Sequence, residues 1–164
     1  MEVDIFCNKT KSVVKAKISL LTKNELPLKK DGWQFNWNIL FKIEGAFYYK
    51  ICLMNSPKKV EGLLMVSLFN DEMVFMNNLE SAPYNIGIKK QYENVTSCLI
   101  AYACKISFEK GISNYKGFLS FESKTALIPW YTQKYGAILA MGHKMFITPE
   151  NGKKLITKFL KIKI

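Results

Sequence analysis

The periodicity of the apolar residues changes part-way along this chain, and that change constrains the fold more than any other feature. Residues 47–54, 60–69 and 72–79 are rich in aliphatic and aromatic side chains and are separated by turns that contain Asn, Pro and Asp. This pattern is typical of an antiparallel meander of strands. Beyond a loop over residues 81–94, apolar residues recur every three or four positions until Gly111, a natural end for a helix. The sequence therefore predicts three strands, a loop and an amphipathic helix in that order.

The segment before the meander is less regular. Residues 13–20 alternate apolar and polar positions, which favours a strand over a short amphipathic helix. Residues 27–41 carry the turn signal Asp31-Gly32 and then a spacing compatible with a helix, so their class stays open.

The segment after the long helix returns to mixed patterns. Residues 115–121 predict a strand, Ser123 a helix cap and Gly136 the end of that helix. Residues 137–147 then predict one further strand. The tail predicts an amphipathic helix whose apolar face carries Leu155, Ile156, Phe159 and Leu160.

Length and composition limit how these elements are organised. The chain has 164 residues, 49% of them hydrophobic, which suits one α/β domain over residues 1–164 with a continuous core. It contains no run of about 18 apolar residues and no signal-peptide core at its start, so we expect a cytoplasmic protein without a membrane partner.

The charge of the chain points to anionic partners. The formal net charge is +11, and every one of the 24 basic residues is lysine. Phosphate, nucleic acid or an acidic protein surface would suit such a charge. Arginine supplies the planar fork that reads guanine edges, so its absence argues against sequence-specific nucleic-acid recognition.

The cysteines and the single histidine do not form a metal-binding pattern. No two cysteines have CxxC spacing, and His143 is the only histidine. We therefore predict no metal site. The free thiols, expected to be mostly buried, are Cys7, Cys52, Cys98 and Cys104.

One loop carries a recognisable motif. Residues 91–96 (Gln-Tyr-Glu-Asn-Val-Thr) lie between a predicted strand and a predicted helix, and they resemble the acyl-CoA loop of the GNAT acetyltransferases, Gln/Arg-x-x-Gly-x-Gly/Ala. Gln91 fits this motif, whereas Asn94 and Thr96 stand at the glycine-type positions. Such a loop needs backbone N–H groups at a helix N-terminus to bind a pyrophosphate, and Asn is the best non-glycine residue for a left-handed turn.

Two further segments strengthen the resemblance. Residues 80–85 (Glu-Ser-Ala-Pro-Tyr-Asn) look like the Glu-x-x-Pro-x-Asn segment that ends the fourth strand in some GNAT proteins. Tyr131, Lys134 and Gly136 are similar to the Tyr-x-Lys-x-Gly closing motif, with the glycine one residue late. Lys124 stands where the family usually has Asn. The resemblance implies a mixed, mostly antiparallel sheet flanked by helices, with central strands that splay apart around the cofactor.

The resemblance also implies a site. Tyr131 matches the family's general acid, with packing on the sheet as the alternative. Glu80 is the first candidate for the general base and Glu122 the second, although either could be a solvated strand end. Trp33 and Tyr84 are among the aromatic residues that could line an acceptor pocket or pack in the core. The implied acetyl-CoA-binding residues are Asn78, Leu79, Ser81, Gln91, Tyr92, Glu93, Asn94, Val95, Thr96, Ser97 and Lys124.

Two functional hypotheses follow. The first is an N-acetyltransferase that moves an acetyl group from acetyl-CoA to a primary amine. The sequence reveals neither which amine is the acceptor nor the oligomeric state of the protein. The alternative is a GNAT-fold domain with weak or no catalysis that binds RNA or an acidic protein. A narrower variant joins them: a basic acetyltransferase acting on aminoacyl-tRNA or on a ribosome-associated protein.

Overall fold

A computed structural model describes all of residues 1–164, and its main feature is one nine-stranded sheet flanked by helices. Along the sheet the strands follow the order β6, β1, β2, β3, β4, β5, β7, β9 and β8. The pairing is mostly antiparallel, and β5 pairs with β7 in parallel. The strands are β1 (Glu2–Cys7), β2 (Ser12–Leu20), β3 (Ala46–Leu53), β4 (Ser56–Phe69), β5 (Met73–Ser81), β6 (Tyr92–Glu93), β7 (Leu119–Glu122), β8 (Ile138–Met141) and β9 (Lys144–Ile147).

The helices are fewer and mostly short. A π-helical turn (Ile156–Leu160) continues the last of them. None of the helices is both long and apolar enough to cross a lipid bilayer. The four α-helices are α1 (Trp37–Leu40), α2 (Val95–Lys110), α3 (Ile128–Tyr135) and α4 (Pro149–Leu155).

The residues group into two compact units, and residues 1–65 with 78–99 form the first. Its hydrophobic core includes Trp33 and Trp37, which are 7% and 0% exposed, with Tyr84 packed against it. The hydroxyl of Tyr48 donates hydrogen bonds to the carbonyl oxygens of Leu40 and Ile43, at 2.5 and 2.9 Å. These contacts bind the irregular segment around α1 to β3. Trp33 belongs to the core and Tyr84 packs against it, although both could have lined an acceptor pocket.

Residues 66–77 and 100–164 form the second unit. Its buried side chains include Phe121 on β7, Met145 and Ile147 on β9, and Tyr135 at the end of α3. The apolar face predicted for the C-terminal helix, residues 155, 156, 159 and 160, is also buried.

The strand and helix predictions of the central part are confirmed. The three meander strands correspond to β3, β4 and β5, residues 13–20 form β2, and the long helix ends one residue before Gly111. In the open segment, the helical spacing corresponds to the single turn of α1, whose N-cap Asn36 accepts a hydrogen bond from the amide of Ile39. The prediction of one domain stays a prediction.

Three predictions for the second unit are wrong. Residues 137–147 form not one strand but the hairpin β8–β9, because Gly142 takes a left-handed φ of 61° between them. The strand predicted over residues 115–121 starts only at Leu119, after a 3-10 turn. Ser123 does not cap α3, since its hydroxyl donates to the carbonyl oxygen of Lys124 and the N-cap of the helix is Leu127. Gly136 does end α3, with a φ of 64°.

Candidate active site

The loop before α2 has the backbone shape of an anion-binding turn. Asn94 adopts a left-handed φ of 69°, and α2 begins at the next residue, Val95. The amide of Cys98 donates to the carbonyl oxygen of Asn94 at 2.9 Å, the first hydrogen bond of the helix. The amides of Val95 and Thr96 precede that bond, and an α-helix offers no internal acceptor to amides at these positions. Their N–H groups and the positive end of the helix dipole suit a phosphate group.

The preceding residues hold this turn in place. The amide of Gln91 donates to the carbonyl oxygen of Tyr84 at 2.9 Å, and the amide of Tyr92 donates to the side-chain oxygen of Asn85 at 3.1 Å. Strand β6 also pairs with β1, with Tyr92 opposite Cys7. The amides of Gln91 and Tyr92 are therefore engaged within the protein, and a phosphate would meet the amides that follow them.

Thr96 connects the first turn of α2 to the end of β5. Its hydroxyl lies 2.7 Å from the hydroxyl of Ser81, which is 7% exposed. The branched side chain is thereby directed at β5. A neighbouring close approach requires glycine at position 62, because a Cβ atom there would lie 2.8 Å from Val95 and 3.2 Å from the carbonyl oxygen of Glu80.

Glu80 is buried and accepts three hydrogen bonds. One carboxylate oxygen accepts from the amide of Gln34 at 2.5 Å. The other accepts from the amide of Phe35 at 3.3 Å and from the indole N–H of Trp37 at 2.8 Å. Its side chain thus anchors the segment that leads into α1, and its role as general base stays a prediction.

A second buried carboxylate, Glu61, was missed by the sequence analysis. It is 0% exposed; its oxygen Oε2 accepts from the side-chain amide of Asn85 at 2.8 Å, while Oε1 has no hydrogen-bond partner. Burial, followed by the nearby charge of Glu61, raises the pKa of the Tyr84 hydroxyl above its usual range. Asn85 therefore links Glu61 to the amide of Tyr92. The only sequence signal for the burial of Glu61 was its position at the start of an apolar run on β4.

In the second unit, Tyr131 lies in an aromatic cluster on α3. Its ring centroid is 4.7 Å from that of Phe121 and 4.8 Å from that of Trp130. Burial raises the pKa of Tyr131, so its hydroxyl keeps its proton at neutral pH. The side chain of Lys124 is exposed, and its carbonyl oxygen accepts from the amide of Leu127 at 2.9 Å.

The parallel pairing of β5 with β7 is short. It joins three residue pairs, from Val74 with Leu119 to Met76 with Phe121, and β5 continues to Ser81. The residues that directly follow the last pair, Asn77 and Glu122, line a cavity of about 680 Å³ in the second unit.

Comparison with known proteins gives matches to solved structures only. No family model matches the chain, and no curated protein matches it. The structure of AtaTR bound with acetyl-CoA matches at 18% identity and a TM-score of 0.60, over 87% of this chain and 98% of the other. AtaT complexed with acetyl-methionyl-tRNAfMet matches at 14% identity and a TM-score of 0.62, over 87% and 99%. The KacTA–DNA complex matches at 11% identity and a TM-score of 0.63, over 87% and 99%.

The chain has the GNAT fold. The pairing of β5 with β7 ends at Met76, while β5 itself continues to Ser81. The assignments of residues 91–96 to an acyl-CoA loop and of Tyr131 to the closing tyrosine stay predictions.

The backbone of residues 91–96 has the shape that a pyrophosphate site needs. Asn94 takes the left-handed conformation that a glycine would supply, and the hydroxyl of Thr96 is turned to Ser81. The N-terminus of the 16-residue helix α2 adds its dipole. The two substitutions that distinguish this loop from the family motif thus leave the shape of the turn intact.

Proposed function

We propose that this protein is an N-acetyltransferase that transfers an acetyl group from acetyl-CoA to a primary amine. The observation that carries the proposal is the left-handed turn at Asn94, followed directly by the N-terminus of α2. The GNAT fold of the chain and the early end of the β5–β7 pairing support it.

The residues that would hold acetyl-CoA come from two segments of the first unit. Amides of residues 93–97 would bind the pyrophosphate, and backbone groups of residues 78–81, beyond the paired part of β5, would bind the pantetheine arm. When bound, acetyl-CoA supplies an electrophilic thioester carbon. Lys124, an exposed lysine of the second unit, stays a prediction from the motif.

The protons would be handled by side chains of this chain. An ammonium group must lose a proton before its nitrogen can attack, and Glu122 is an exposed carboxylate outside the four salt bridges of the protein. Glu80 is the other candidate, although three donors already occupy its oxygens. Tyr131 would give its phenol proton to the departing sulfur, since burial keeps the phenol protonated at neutral pH.

Calorimetric titration with acetyl-CoA tests the proposal, and two asparagines provide matched variants. Asn94 and Asn70 are both exposed, with left-handed φ angles of 69° and 51°. Replacing either by Ala should cost about 1 kcal/mol of stability, because Ala disfavours this conformation. Only Asn94→Ala should weaken acetyl-CoA binding, by about tenfold, or about 1.4 kcal/mol. An absence of acetyl-CoA binding by the wild-type protein would refute the proposal.

A basic interaction domain is the second candidate. The net charge of +11 favours it. RNA binding that weakens with added salt and ignores acetyl-CoA would be its signature. Acetyl-CoA binding by the wild-type protein, together with acetylation of an amine, would exclude this second candidate.

A further inference from the structure

The 680 Å³ cavity of the second unit has the composition of a small-molecule pocket. Aromatic rings from three strands or their flanking residues line it, namely Phe75, Phe118 and Phe146. Its volume lies in the range of pockets that bury a small organic ligand, and such pockets combine apolar walls with a few polar groups. One polar group here is the hydroxyl of Ser120, which is shielded from solvent and has no hydrogen-bond partner. The cavity thus has mainly apolar walls and one polar atom, the Ser120 hydroxyl oxygen, that lacks a hydrogen-bond partner.

Two opposite charges stand at the wall of this cavity. Glu122 on β7 and Lys144 on β9 are directly opposite in the antiparallel register, and both line the cavity. Both side chains are exposed, and neither takes part in a salt bridge. Directly opposite residues of paired strands lie about 5 Å apart. A ligand that carries an ammonium and a carboxylate group on adjacent atoms would match both charges.

The cavity also lies where an acceptor would be needed. Asn77 and Glu122 directly follow Met76 and Phe121, the last residues that pair β5 with β7. Phe121 contributes to the cavity and packs against the ring of Tyr131 at 4.7 Å. The cavity and the end of the strand pairing therefore adjoin one another within a single unit, and Phe121 lies between the cavity and Tyr131.

We propose that this cavity binds a free α-amino acid with an apolar side chain, which is the acetyl acceptor; its role as acceptor rests on the proposed function. The apolar side chain occupies the aromatic walls, the α-ammonium group contacts Glu122, and the α-carboxylate contacts Lys144. During transfer, one ammonium proton passes to Glu122 and the nitrogen bonds to the acetyl carbon as the carbon–sulfur bond breaks. The sulfur would take the proton of Tyr131, the nitrogen would return its second proton through water to the resulting phenolate as the amide forms, and Glu122 would release its proton to water.

Binding measurements without acetyl-CoA test the pocket by itself. We would titrate the protein calorimetrically with L-phenylalanine, with L-phenylalaninamide, which lacks the carboxylate, and with 3-phenylpropanoate, which lacks the ammonium group. The wild type should bind L-phenylalanine about tenfold more tightly than either analogue, as expected for a lost charged hydrogen bond.

Variants assign each charge to its partner. Lys144→Gln should bind L-phenylalanine and its amide equally, and Glu122→Gln should bind L-phenylalanine and 3-phenylpropanoate equally. Lys116→Gln, at an exposed lysine outside the cavity lining, should behave as the wild type. A loss of selectivity in Lys116→Gln as well would overturn the assignment to Lys144.

The outcomes separate this inference from the proposed function. Acetyl-CoA binding without any amino-acid binding at millimolar concentration would overturn the inference and leave the proposed function standing. Amino-acid binding without acetyl-CoA binding would support the pocket and refute the proposed transferase. Tighter binding of L-phenylalanine methyl ester than of the free acid would overturn the Lys144 contact, because the preferred acceptor would then carry an esterified carboxyl group.

Discussion

Replacement of Glu80 by Gln should destabilise the protein strongly, although the two side chains have nearly the same volume. The carboxylate is 6% exposed and accepts from two amides and one indole N–H. An amide side chain keeps one acceptor oxygen and turns an NH₂ group towards N–H donors. A lost hydrogen bond to a charged group costs about 1.5–3 kcal/mol, and a buried donor left unpaired costs about 1–3 kcal/mol. We therefore expect a loss of about 3 kcal/mol in the free energy of unfolding.

Urea unfolding followed by tryptophan fluorescence measures this loss. With a slope of about 2 kcal/mol per molar urea, the unfolding midpoint of Glu80→Gln should fall by about 1.5 M. Trp37 reports directly, because its indole donates one of the three hydrogen bonds. Glu44→Gln is the matched control: Glu44 is exposed and forms no salt bridge, so its midpoint should stay within the error of the wild type.

The result that would refute this reasoning is an equal midpoint for Glu80→Gln and Glu44→Gln. Glu80 would then not anchor the segment before α1, and it would again be the first candidate for the general base. A destabilised but folded Glu80→Gln protein that retains the wild-type kcat would instead leave Glu122 as the candidate base.

Three other predictions follow from local geometry. Gly117 and Gly142 both have left-handed φ angles, 84° and 61°, but a Cβ would lie 2.5 Å from the ring of Phe108 at Gly117 and contact nothing within 4 Å at Gly142. In thermal unfolding, Gly142→Ala should therefore lower the free energy of unfolding by about 1 kcal/mol, and Gly117→Ala should lower it by at least about 1 kcal/mol more. Equal losses of stability would contradict the predicted clash. Hydrogen bonds from Thr10 lower the pKa of Cys7, whereas burial raises the pKa of Cys104 to about 12, so a disulfide reagent should modify Cys7 first and Cys104 only on unfolding. If mass spectrometry found Cys104 modified first, its burial would be in question. Tyr131→Phe should lower kcat about a hundredfold with little change in KM, while Tyr135→Phe on the same helix should not; a kcat unchanged by Tyr131→Phe would remove the tyrosine from the proposed mechanism.

Long elements with regular patterns were predictable from the sequence. Strands β3 to β5 and helix α2 are long and largely apolar, so their extent shows in the sequence itself. Gly136 was read correctly as a helix end, because a left-handed residue after a helix is usually glycine. The left-handed turn at Asn94 was likewise predictable, because Asn is the best non-glycine residue for that conformation.

Short elements were not predictable, because partners distant in sequence stabilise them. Strand β6 has two residues and exists through its pairing with β1, some 85 positions earlier in the chain. Residues 138–141 of β8 are all exposed, so no alternation marked where the strand ended and the turn at Gly142 began. Strand β1 alternates apolar and polar residues, yet six residues at the start of a chain gave no clear assignment.

The sequence by itself determined the order of the long strands and helices, the left-handed residue at the loop and the identity of the ionisable groups, since these depend on residue type and local spacing. The tertiary structure decided what those groups do. Glu80 contacts residues 43 to 46 positions away and becomes an anchor, and Glu61 is buried against Asn85. Glu122 and Lys144 become neighbours through strand pairing. Such contacts depend on which strands lie side by side, and no local pattern in a sequence encodes that.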